Sequence, residues 1–281
     1  MPNTVQGSRY VQSGWPIGWG VAAILSTILF SLLPQETAWR VLFWIGLMPA
    51  FMVLFVRRYV DEPHLFKAAR EKIATGPHRQ IWLEIFSPEI IKSTILTSLL
   101  TTGAQGGYYA LFTWLPTYLK AERKLSIIGS GGYIAVVIIG SFIGLLVGAH
   151  LADRIGRRAN FLLFAVCSLI TVIIVYTQLP VDNGLMLLLG FPLGFFATGI
   201  FAGMGAFLTE NFPTRIRATG QGFAYNFGRG IAALSPTFAG LLSATLPLGQ
   251  SIGIFAASAY GLFIVAALLL PETKARELTP G

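Results

Sequence analysis

A chain of 281 residues in which 54% are hydrophobic and 11% charged is unlike a soluble domain, where about 25% of residues carry charge. Its apolar runs reach the roughly 20 residues that cross a bilayer. The net charge of +8 does not mark a nucleic-acid binder, because Lys and Arg lie in short connections and leave no extended basic face.

From the N-terminus, "MPNTVQGSRYVQSG" has no basic-then-apolar signal pattern, so the spans themselves are expected to direct insertion. Eight spans follow, at about 14–33, 37–56, 95–119, 127–149, 160–176, 184–208, 218–241 and 251–270. Runs such as "VAAILSTILFSLL" are apolar all round, whereas barrel strands alternate, so the spans are expected to be helices. With the N-terminus in the cytoplasm, inward connections hold fifteen of the twenty Lys and Arg and outward ones four. That bias places both termini inside. Lys120, Arg123 and Lys124 form the one cluster that falls outside against the trend.

The long connection from Arg57 to Thr94 contains "HLFKAAREKI", which spaces Leu65, Ala68, Ala69 and Ile73 like an amphipathic helix. It reads equally as a helix on anionic membrane lipid and as a solvated linker. Cys167 sits in an apolar run, so neither a disulfide framework nor a thiolate metal site is expected. Glycines recur every fourth residue at 140, 144 and 148, at 190 and 194, and at 199 and 203, a spacing that lets membrane helices approach closely.

Two places put charge where it is costly. In "GAHLADRIGRRANF", Asp153, Arg154, Arg157 and Arg158 crowd around Gly156 between two apolar spans. Arginines there anchor a hairpin to the inner face, and Gly156 permits a sharp turn. Asp153 can pair with Arg154 or Arg157, or cap a neighbouring helix N-terminus. His150, just ahead, is expected at the interface. The second place is Arg229 in "GFAYNFGRGIAA", about 16 Å into its span at 1.5 Å per residue. All twelve Asp and Glu fall in connections or span ends, so Arg229 has no evident buried partner. Such an arginine either recognises an anion, its fork matching a carboxylate, or serves a structural role. Tyr225, Asn226 and Gln221 lie on its side of the helix. A polar stripe at Thr97, Thr101, Gln105 and Tyr108 is the second candidate lining, with Trp114 and Tyr118 read as an interfacial belt.

The charge knot resembles the loop motif of the major facilitator superfamily, Gly-x-Leu-Ala-Asp-Arg-x-Gly-Arg-Arg, at Leu151, Ala152, Asp153, Arg154, Gly156, Arg157 and Arg158, with Ala149 at the first position. "ENFPTRIRATGQG", with Glu210, Arg215 and Arg217, is similar to the connection before that family's eleventh helix. "PETKARELTP" is similar to the tail after its twelfth, and "VDEP" to the segment after its sixth.

The resemblance implies an all-α, polytopic membrane bundle whose eight spans correspond to helices 5–12. Residues 1–56 would hold the last two helices of the N-terminal half, 57–93 the central cytoplasmic loop and 94–281 a complete six-helix C-terminal half. It implies a truncated gene product or a partial gene model. It also implies alternating-access transport in a bacterial inner membrane, with Asp153, Arg154, Gly156, Arg157, Arg158, Glu210 and Arg217 as a conformational gate.

"WLPTYL" with "YNFGRG" is most similar to organic-acid:proton symporters of the sialate and aromatic-acid branches. The expected partners are therefore a small organic anion, protons and lipid, bound through Arg229, Asn226, Tyr225, Gln221, Gln105 and Tyr108. A sugar porter and a non-transporting remnant or partner subunit are the alternatives. No GxxxxGK[ST], HExxH, GxSxG or CxxC spacing occurs, so neither enzymatic chemistry nor a metal or cofactor is expected.

Overall fold

The computed structural model describes residues 4–59, 81–125, 127–174 and 182–274. Among them every regular element is helical. The amphipathic segment 64–73 lies outside the described residues. The chain divides into two compact units, residues 18–80 and residues 1–17 with 81–281.

The smaller unit holds most of α1 (Thr4–Leu32), together with α2 (Gln35–Gly46) and α3 (Met48–Tyr59). The expected span 37–56 is therefore two helices. Pro49 offers no N–H, and its ring crowds the carbonyl four residues back, so the ladder stops near Leu47. The Leu47 N–H donates instead to the Trp44 carbonyl, 3.1 Å away, in a tighter turn.

The larger unit begins with α4 (Ile81–Glu84) and continues through α5 (Ile91–Ala121), α6 (Ile127–Ile155) and α7 (Arg157–Ile173). α8 (Asn183–Gly199) runs through a 3-10 turn (Ile200–Gly203) into α9 (Met204–Glu210). Then come α10 (Arg217–Ala232), α11 (Ser235–Leu242) and α12 (Leu248–Leu269). The expected span 218–241 is broken at Ala233 and Leu234. Pro236 again forbids the continuous ladder, this time against the Ala232 carbonyl.

By length and composition, three described runs suffice to cross a membrane: Gly131–Ile155, Gly184–Glu210 and Leu248–Leu269. α5 is long enough but devotes its buried side to Thr94, Thr97, Ser98, Thr101, Gln105 and several glycines.

The expected central loop, 57–93, is not all linker. Ile85 is fully buried against Phe212 and Ile216, and its carbonyl accepts from Thr94 Oγ1 at 2.8 Å. Glu84 pairs with Arg215.

Glycine sets how closely the helices approach. A Cβ at Gly140 or Gly144 of α6 would run into the carbonyl oxygens of Phe191 and Phe195, and one at Gly194 of α8 into that of Val137. The two backbones therefore touch. Thr198 Oγ1 and Ser141 Oγ, 3.0 Å apart, add a buried polar link across the seam. On the other side of the bundle, Gly103 of α5 lies against the backbone of Ala259 and Phe263, and Gly107 under the Tyr260 ring, both on α12. α7 packs on α12 through Phe161, whose ring meets Phe263 edge-on at 5.5 Å.

Two residues of the segment 120–124 make tertiary contacts. Glu122 accepts the Gly249 N–H with both carboxylate oxygens at 3.2 Å, capping the start of α12. Arg123 folds back to donate to the Tyr118 hydroxyl at 3.0 Å and approaches the Met186 sulfur at 3.6 Å. Tyr118, expected in an interfacial belt, is thereby buried.

Gly144→Ala should overpack the α6–α8 seam and cost about 1–3 kcal/mol, read as a lower melting temperature in detergent. Gly261→Ala, where nothing lies within 4 Å, should hold or raise the melting temperature, because alanine favours a helix interior over glycine.

Candidate functional site

The charged cluster is built around a one-residue turn. α6 continues through Asp153 and Arg154 to Ile155, so the first half of the loop motif is helix, and only Gly156 separates α6 from α7. Its φ of +98° belongs to the region that disfavours a side chain. A Cβ there would stand 2.8 Å from Glu272 Oε2.

That carboxylate explains the tightness. Glu272, just after α12, accepts from the backbone amides of Arg157 and Arg158, both at 3.0 Å, and of Thr273 and Lys274 at 3.0 and 2.9 Å. It therefore caps the N-terminus of α7, satisfying amides the helix cannot satisfy itself and opposing its positive end. Of the two roles open to Asp153, pairing with an arginine and capping a neighbouring helix, it takes the first. Asp153 pairs with Arg157 at 3.4 Å, while Arg157 also reaches Glu210 at 3.3 Å. Glu210 in turn accepts from Thr273 Oγ1 at 2.5 Å. Arg157 is buried, and its guanidinium also donates to the Ala152 carbonyl at 3.2 Å.

Of the remaining gate candidates, Arg158 donates to the Leu268 carbonyl at 2.7 Å, and Arg154 takes part through its carbonyl, which accepts from Lys274 Nζ at 2.7 Å. Arg217 binds the Thr209 carbonyl at 2.9 Å and Thr214 Oγ1 at 3.0 Å, securing the α9–α10 connection rather than the knot. The cluster thus ties α6, α7, α9 and the segment after α12. Glu272 and Thr273 were not among the candidates. The signals for them were a solitary acid immediately beyond the last apolar span and its place in the "PETK" tail.

The second site is α10. Gly220, Ala224, Gly228 and Ala232 form its buried face. A Cβ at Gly228 would collide with Thr101 Oγ1, and one at Gly220 with the Phe212 ring. With these small residues against the bundle, about 100° per residue turns Gln221, Tyr225 and Arg229 to one flank and stacks Phe223 on Phe227, 5.3 Å apart, on the other.

Arg229 is exposed and stands in the last turn before the break, where α10's carbonyl end favours a cation. Among the described residues it has no carboxylate partner. Asn226 is exposed and turns its amide onto the Gly222 carbonyl at 2.8 Å.

The candidates on α5 are placed differently. Gln105 and Tyr108 are buried, at 3% and 7% exposure, so they lie inside the bundle rather than on Arg229's open flank. Gln105 Nε2 donates to the Tyr225 carbonyl at 3.4 Å. Tyr108 stacks on Phe112 at 4.2 Å and meets Tyr109 at 6.1 Å and Phe201 at 5.8 Å, the latter edge-on. Trp114, expected as an interfacial anchor, instead donates to the Pro236 carbonyl at 2.8 Å and so pins the broken segment.

Apolar helices joined by backbone contact, with charge confined to their ends and to one arginine beside a helix break, are built for a bilayer. The sequence profile of the Major Facilitator Superfamily matches residues 8–234 and 134–281, and the chain belongs to that family of multi-pass membrane proteins.

Among its relatives is the probable 4-methylmuconolactone transporter of Cupriavidus pinatubonensis, 41% identical over 268 residues, which cover 94% of this chain and 61% of that protein. The cis,cis-muconate transport protein of Acinetobacter baylyi is 30% identical over 281 residues, with 96% and 65% covered. The 3-(3-hydroxy-phenyl)propionate transporter of Escherichia coli is 31% identical over 267 residues, with 94% and 62% covered. The chain thus spans less than two thirds of the length of these proteins.

Burial opposes ionisation of Glu272, but the four amides from Lys274, Arg158, Arg157 and Thr273 outweigh it and hold the carboxyl below the usual carboxylate range. A carboxyl with a lowered folded pKa binds fewer protons folded than unfolded. Its contribution is therefore present above the ordinary carboxyl range and drains away as pH falls through the lowered value. Glu272→Ala should cost about 1 kcal/mol at neutral pH, as loss of a helix cap does. Glu272→Gln should lose less melting temperature than the unaltered chain as pH drops below about 4. Equal acid sensitivity of the two would show that Glu272 does not make this contribution.

Proposed function

We propose that the chain recognises the anion in a secondary transporter for a small organic carboxylate, working by alternating access. The observation that carries this reading is Arg229. It is a guanidinium on the polar flank of α10, at a helix break and within a span, with no carboxylate partner among the described residues. Placing a cation there costs several kcal/mol unless water or an anion compensates, and its planar fork suits a carboxylate. Broken helices that expose backbone ends at mid-membrane are where transporters of this kind hold ions and substrates. Tyr225 and Gln221 share the flank and would orient the bound acid, with Asn226 at its edge. The names of the relatives, which refer to muconate, a lactone of methylmuconate and a phenylpropionate, support an organic acid as cargo.

On the same reading, the knot at Gly156 is the gate. Glu272 and the Asp153–Arg157–Glu210 pairs hold four elements together in one state, and a second state must exchange those contacts for others. The tail beginning "PETK" does not by itself point to a sugar as cargo, because capping α7 by Glu272 is indifferent to cargo. Proton coupling, and residence in a bacterial cytoplasmic membrane with both termini inside, belong to this proposal. The orientation is supported by the bias of Lys and Arg toward inward connections.

Arg229→Gln should lower uptake of radiolabelled cis,cis-muconate by cells expressing the chain about 10–100-fold at equal membrane abundance, the worth of a charge-assisted hydrogen bond. Undiminished uptake would refute the anion role. For orientation, a green fluorescent protein fused to the C-terminus should fluoresce and a fused alkaline phosphatase stay inactive. The reverse pattern would invert the topology.

A further inference from the structure

We infer that Thr101, assisted by Gln105, is the positioning residue for Arg229, setting the rotation of α10 at which the guanidinium faces its ligand. This rests on the anion-binding reading of Arg229 above. In the hydrocarbon core no hydrophobic force draws one helix to another, so their mutual rotation is set by close contact and by polar links. α5 and α10 cross where Gly228 sits on Thr101, so tightly that a Cβ at Gly228 would strike the hydroxyl. Thr101 is fully buried, and its Oγ1 lies 2.7 Å from the Ala224 carbonyl. One turn further along α5, the Gln105 amide reaches the Tyr225 carbonyl at 3.4 Å. In an α-helix the carbonyls of residues 224 and 225 accept from the amides of residues 228 and 229. The two α5 side chains therefore grip the turn of α10 that carries Arg229.

The other contacts on that face are made by glycine and alanine, which fix how closely α10 approaches, and Phe223 packs on Phe86 at one flank, so the two hydrogen bonds add the directional part of the fit. The Thr101 hydroxyl is also within 3.0 Å of the Thr97 carbonyl and 2.9 Å of the Ser98 carbonyl on its own helix. Its single proton is shared among these acceptors, and the nearest is the one across the helix interface. If α10 rolls by about 10°, a guanidinium some 6 Å from the helix axis moves by about 1 Å, a misplacement of the size that costs up to about 100-fold in a positioned site.

The test is equilibrium binding of radiolabelled cis,cis-muconate to the purified chain in detergent, with competition by unlabelled muconate and by its uncharged dimethyl ester. The ratio of the two affinities reports how well a cation addresses a carboxylate, whereas loss of folded protein lowers only the number of sites. Thr101→Val, which keeps the shape and removes the hydroxyl, should shrink that ratio about 10-fold. Thr101→Ser should restore it to within about 2-fold. A Thr101→Val chain with the unaltered ratio overturns the positioning role. If Arg229→Gln also keeps that ratio, the anion reading itself has failed. If only Arg229→Gln lowers it, the anion reading stands and the positioning role alone falls. No saturable muconate binding by the unaltered chain would overturn both.

Discussion

Lipid tails are as apolar as leucine, so the force that folds soluble proteins does little to press one membrane helix onto another. In this chain the deficit is met by bringing backbones into contact. Glycine at positions 140, 144 and 194 removes every atom that would hold α6 from α8, and glycine at 103, 107 and 228 does the same for α5 against α12 and α10. At that range dispersion between backbones is strong, and a single hydroxyl such as that of Ser141 or Thr101 can bridge two helices. The rest of the larger unit depends on these seams. They determine which face of each helix is turned inward, and hence which residues are left for chemistry.

The helix ends obey a second constraint. Every α-helix begins with amides it cannot satisfy, and a one-residue turn such as Gly156 leaves no loop to supply partners. Carboxylates from distant positions do so instead: Glu272 at the start of α7, and Glu122 at the start of α12. These are long-range ties, joining segments more than a hundred residues apart, and each adds electrostatic attraction to the positive end of a helix. The buried Arg157 then draws Asp153 and Glu210 into the same network. Such contacts are individually modest, which suits the exchange of arrangements proposed above.

Broken helices are the third theme. Pro49 and Pro236 interrupt two apolar segments whose hydropathy alone reads as continuous. The Pro236 break stops α10 one turn beyond Arg229 and leaves its carbonyl end beside a cation. Trp114 holds the far side of that break through the Pro236 carbonyl. The guanidinium, the break and the small-residue face of α10 together make a candidate site that no one of them would define.

The sequence by itself determined the helical membrane architecture, the positions of most helices, the turn at Gly156 and the choice of Arg229 as a candidate. Each is a matter of local composition or of a residue whose cost in lipid is high wherever it points. Tertiary structure decided the partners. Asp153 and Glu272 are both solitary acids near a span end, and nothing local distinguishes the one that caps α7 from the one that pairs with Arg157. Gln105 and Tyr108 share a helical stripe with Thr97 and Thr101, yet whether a stripe faces a cavity or a neighbouring helix depends on which helices lie beside it. The packing of α10 onto Thr101 and Gln105, and of Phe201 onto Tyr108, turned that stripe inward. The physical reason is the same in each case: span and turn preferences arise from neighbours along the chain, whereas caps, seams and pairings arise from neighbours across it.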